Sequence, residues 1–167
     1  MKKTSYYSWL REALWAIATL FVSAMLLFPI WRSINYQYSA EHFGLIFLAL
    51  TYFRYIFFFR QIPFVKPRFI RWIWGFLNIV LFIALIFRLQ YYTDLFESFS
   101  LYRFTVEPHD LSIQEETTLL YSMRGQILFF TTLLFLSIVG FQFRILQSMF
   151  YGNKPTSTET IYKKDSL

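Results

Sequence analysis

Long apolar runs alternate along this chain with short polar interruptions. Four runs stand out, at 13–30, 42–59, 72–87 and 127–143. A helix needs roughly 17–25 mostly apolar residues to cross about 30 Å of hydrocarbon, so each run predicts one membrane-spanning helix. The runs sit at the short end of that range. Trp9, Trp15, Trp31, Trp72 and Trp74 lie near their ends, where indoles anchor a span at the interface.

The first run follows Lys2 and Lys3, as a secretory signal would, and Val22-Ser23-Ala24 would pass as a cleavage site. The apolar stretch continues beyond that point to Phe28, and Arg11-Glu12 interrupts it beforehand, so a retained helix is expected. Pro63 and Pro67 lack the backbone donor a helix needs and separate the second span from the third. The connection from about 88 to 125 is too short and too polar for a core of its own. Within it, Ser112-Ile113-Gln114-Glu115 has the spacing of a capping box that opens a helix. Ile113, Leu120 and Met123 then form either an interfacial stripe or an early start to helix four. The segment 152–167, with Asn, Pro, Ser, Thr and Lys, has a disordered composition. The expected fold is an all-α integral membrane protein, one four-helix domain over residues 1–151.

Composition agrees with the pattern. Apolar residues make up 56% of the 167, with 22 Phe and 12 Tyr, and mean hydropathy is +0.41. A soluble domain of this size exposes too much surface to hide so many rings. Cysteine is absent, which excludes disulfides, thiolate catalysis and thiolate metal centres.

Charge orients the spans. With both termini on one side, that side carries 12 of the 16 Lys and Arg residues. Cytoplasmic loops hold the excess of Lys and Arg, so both termini are expected in the cytoplasm. The connection between helices three and four becomes an acidic extracytoplasmic loop. Arg60, Lys66, Arg68 and Arg71 then face anionic headgroups, each contact near the surface being worth about 1 kcal/mol. Basic residues tied to the bilayer and interfacial aromatics do not form a nucleic-acid groove. No organelle signal is present, and a plasma (inner) membrane is the expected location.

Arg54 breaks the pattern. It precedes Arg60 by six residues and so lies about 9 Å deeper along a helix. Its long stem could snorkel to the headgroups. Alternatively it joins a polar layer at similar depth, formed with Thr19, Asn78 and Ser137, donating to Asn78 and to Glu12. Each of these sits among small or polar residues at helical spacing: Ala16 and Ser23, Thr51, Gly75, Gly140 and Arg144. Small residues let membrane helices approach, and polar ones bond across the gap.

Catalytic chemistry is thinly represented. Glu107, His109 and Asp110 could ligate a divalent metal, but no HExxH or paired histidines accompany them, and a solvated acidic loop is the simpler expectation. No GxSxG or SxxK frames a serine, and no phosphate-binding glycine loop occurs. No cofactor is expected. The expected role is a non-catalytic accessory or assembly subunit of a larger membrane complex, or a homo-oligomer. The alternative is a small transporter or channel built around Arg54.

Overall fold

The computed structural model describes residues 3–58, 68–97, 104–105 and 111–150. Four helices account for nearly all of them: α1 (Lys3–Ser33), α2 (Ser39–Phe58), α3 (Arg68–Glu97) and α4 (Ile113–Phe150). Each predicted run lies within one helix, apart from Phe59, which falls outside the described residues. The helices reach well beyond the apolar cores, however. The 72–87 run belongs to a helix of 30 residues and the 127–143 run to one of 38. At about 1.5 Å per residue, α4 is roughly 57 Å long, far more than a hydrocarbon core requires.

The opening of α4 follows from local chemistry. Ser112 Oγ lies 2.7 Å from Glu115 Oε2, which also accepts from the Ser112 backbone N–H at 3.0 Å. The Glu115 N–H donates back to Ser112 Oγ. This reciprocal arrangement satisfies donors that the first helical turn leaves free. From Ile113 the helix runs unbroken to Phe150, so the early start is the one adopted.

Packing places α2 and α4 side by side, with α1 against α2 and α3 against α4. Glu12 near the start of α1 meets Arg54 near the end of α2, and Arg71 at the start of α3 meets Ser148 at the end of α4. These pairings make α1 antiparallel to α2 and α3 antiparallel to α4. Tyr52 and Tyr55 of α2 both pack on Phe141 of α4, with ring centroids 5.6 and 6.1 Å apart. Gly140 permits the close approach: a Cβ there would come within 3.1 Å of Ile56 Cδ1. Ile46, Ala49, Ile127, Leu134, Ile138 and Phe141 fill the centre.

Three helices are long and apolar enough to cross a membrane, as Trp9–Ser33, Phe69–Glu97 and Ile113–Met149. Of the apolar 18-residue stretch in each, only 17% is buried in α1 and in α3, against 39% in α4. Surfaces carrying Ile17, Phe21, Met25 and Phe28 on α1, or Phe69, Phe76 and Phe87 on α3, therefore face outward. Among the described residues α2 does not join the three, because its 20 residues include Glu41, His42 and Arg54. Its environment compensates: from His42 to Tyr52 no residue is exposed. The helix that carries Glu41, His42 and Arg54 within 20 residues is thus the one its neighbours shield over its middle.

Candidate functional site

Polar side chains gather at the two ends of α2. At one end, Arg54 Nη2 donates to Glu12 Oε1 at 2.6 Å, with the two side chains only 12% and 9% exposed. The guanidinium carbon lies 5.2 Å from the Trp15 ring centre and 5.4 Å from that of Tyr55. Aromatic faces attract a cation most when water is excluded, which suits this enclosed setting. Arg11 approaches the same carboxylate oxygen at 4.0 Å from the exposed side. Glu12 Oε2 and Arg54 Nε are buried with no hydrogen-bond partner.

The predicted polar layer is distributed differently. Thr19 Oγ1 donates to the Trp15 carbonyl of its own helix at 2.8 Å, and Ser23 Oγ to that of Thr19. Asn78, 1% exposed, donates from Nδ2 to the Ile138 carbonyl at 3.0 Å and to Gln142 Oε1 at 3.1 Å. Arg54 thus bonds across the α1–α2 seam and Asn78 across the α3–α4 seam. Ser137 of α4 is buried, with Oγ unpartnered. Of the two partners expected for Arg54, Glu12 is bonded and Asn78 is not, because α3 turns Asn78 toward α4.

Arg71 is held as part of the fold. Its Nη1 donates to the Ser148 carbonyl at 3.0 Å and lies 3.2 Å from Ser148 Oγ, satisfying an acceptor in the last turns of α4. Arg68 opens α3, but its side chain lies outside the described residues, as do Arg60, Lys66, Glu107, His109, Asp110 and the 152–167 segment.

The opposite end of α2 carries a cluster that sequence reasoning missed. Arg88 Nη2 donates to Glu41 Oε1 at 2.9 Å, and Tyr92 Oη donates to Glu41 Oε2 at 3.1 Å. Both carboxylate oxygens are thereby engaged. The next residue, His42, is fully buried, with Nδ1 3.4 Å from the Tyr36 hydroxyl and Nε2 unpartnered. Burial pushes the Tyr36 hydroxyl far above the usual phenol range, so it keeps its proton. The Tyr38 and Tyr91 hydroxyls bond at 2.8 Å. A short strap closes this end: the Gln37 N–H donates to the Phe104 carbonyl, and Tyr36 pairs with Thr105 in an isolated antiparallel bridge.

These two ends hold polar groups mainly against one another. Among the described residues no group of three or more His, Asp or Glu stands close enough to hold a metal ion. No family model matches the chain, no curated protein matches it, and no solved structure matches its fold.

Proposed function

We propose that the chain is a four-span integral protein of the plasma membrane, with both termini cytoplasmic, acting as a non-catalytic accessory or assembly subunit. Support for α2 as the fourth span comes from its direction. It runs antiparallel to α1 and α3 over 20 residues, about 30 Å, returning the chain to the side where α3 starts. The Lys and Arg excess supports the orientation.

The observation that carries the subunit reading is the outward surface of α1 and α3. Each helix packs chiefly on a single neighbour, leaving most of its apolar residues for lipid or for the helices of a second membrane protein. The test is gentle extraction of the tagged protein from its native membrane, followed by mass measurement and identification of what co-purifies. A stoichiometric membrane partner, or a homo-oligomer, is expected. Recovery as a monomer alone would refute the reading.

The transport reading draws on one observation, the unpartnered atoms of Glu12 and Arg54 inside the bundle. Ionisable groups within a span often mark a pathway. Against it stands the apolar centre between α2 and α4, filled from Ile46 to Ile145. A proteoliposome flux that vanishes with Arg54→Ala would favour transport.

A further inference from the structure

α3 and α4 part at the end of the bundle that carries Glu41, leaving a cleft of about 300 Å³. Its α3 wall includes positions 89, 92, 93, 96 and 97 and its α4 wall positions 124, 127 and 128, each set spaced to share one helix face. Phe96 and Ile127 are buried and close the floor. Leu89 and Leu128 are 37% and 45% exposed and open the cleft toward the outward apolar surface.

Three polar side chains complete the lining: Arg124, Glu97 and Thr93. Among the described residues neither Arg124 nor Glu97 forms an ion pair. The Thr93 hydroxyl donates to the Leu89 carbonyl at 2.9 Å, which leaves its oxygen lone pairs as acceptors. One cation, one anion and a free acceptor around an apolar floor are complementary to an amphipathic zwitterion. Tyr92 presets one wall, since its hydroxyl is already held by Glu41. A preset wall lowers the ordering cost of binding.

We propose that this cleft binds a glycerophospholipid with a primary-amine headgroup. Arg124 takes the phosphate, for which a guanidinium offers paired donors. Glu97 and Thr93 accept from the ammonium, and Leu89 and Leu128 meet the first methylenes of the acyl chains. The volume lies at the low end for small-molecule sites and suits the headgroup and glycerol, with the chains left in the bilayer. The site rests on the membrane reading above, since only a bilayer supplies this occupant.

The test is native mass spectrometry of protein released from nanodiscs containing equal phosphatidylethanolamine and phosphatidylglycerol of matched chains. Wild type is expected to retain the amine lipid at least about fivefold over the glycerol lipid, a fraction of what a charge-assisted hydrogen bond supplies. Glu97→Gln should bring the ratio near unity, and Arg124→Gln should lower retention of both lipids. Arg32→Gln, an exposed change on α1, should alter neither. Equal retention by wild type, a ratio indifferent to Glu97→Gln, or an Arg32→Gln effect as large as that of Arg124→Gln would overturn the proposal. Alkaline carbonate extraction separates the two readings. Release of the protein by carbonate refutes membrane insertion itself, whereas retention without headgroup preference refutes only the lipid site.

Discussion

The two ends of α2 handle charge in opposite ways. At the Arg54 end, a single ion pair is enclosed, with side chains 12% and 9% exposed and one atom on each partner left unbonded. At the Glu41 end, the carboxylate is 39% exposed, its arginine 53%, and both of its oxygens accept hydrogen bonds. Enclosed charges interact strongly but lose their hydration, so such a pair stabilises mainly by contrast with the state in which one partner is missing. Exposed charges keep water as an alternative partner, and each member is dispensable. The Arg54 end is therefore brittle and the Glu41 end tolerant.

The largest expected effect follows from removing half of the enclosed pair. Glu12→Ala leaves Arg54 charged and shielded, and should lower stability by about 3 kcal/mol, read as thermal unfolding in detergent. Combining Glu12→Leu with Arg54→Met should recover most of that loss, because two apolar side chains suit the enclosure about as well as a pair of charges. A single variant that unfolds like wild type would show that Arg54 reaches headgroups or water without Glu12, and the contrast between the ends would disappear.

At the tolerant end, Tyr92→Phe removes one hydrogen bond and leaves the ring in place. Glu41 keeps Arg88 and has access to water, so the expected loss is about 1 kcal/mol, the usual net value of one such bond. A loss as large as that of Glu12→Ala would mean that Tyr92 organises the buried Tyr36–His42 pair as well, and that the Glu41 end is one cooperative unit.

These contrasts were only partly legible in the sequence. Helix existence was readable because apolar runs of span length have few alternatives, and the start of α4 because a capping box acts within three residues. Helix extents were not. The apolar run of α3 stops at Phe87 while the helix continues to Glu97, because backbone bonding does not require apolar side chains. Arg54 was legible as an anomaly, and its depth could be counted. Of its two expected partners, Glu12 is the one it meets, and Asn78 was misplaced because depth says nothing of which seam a residue faces: Asn78 lies at a similar level but is turned toward Ile138 and Gln142. Glu12 did leave a signal, as the one carboxylate beside the first apolar run at that depth, though it reads equally well as a simple interruption. The Glu41–Arg88–Tyr92 cluster left none, since its members lie 47 and 51 residues apart.

Salt provides the finest probe of the comparison. Arg88→Gln removes an exposed ion pair with Glu41, along with a guanidinium 5.6 Å from the Tyr91 ring centre. Exposed pairs are worth about 0.2–1 kcal/mol, and mobile ions screen them over about 8 Å at physiological ionic strength and about 3 Å at 1 M. The variant should therefore unfold slightly below wild type in dilute buffer and alongside it at high salt. The Glu12→Ala deficit should persist at both, because ions do not enter an enclosure that already excludes water. If the two deficits respond to salt alike, Glu12 and Arg54 are as solvated as Glu41 and Arg88, and the ends of α2 differ in geometry but not in dielectric environment.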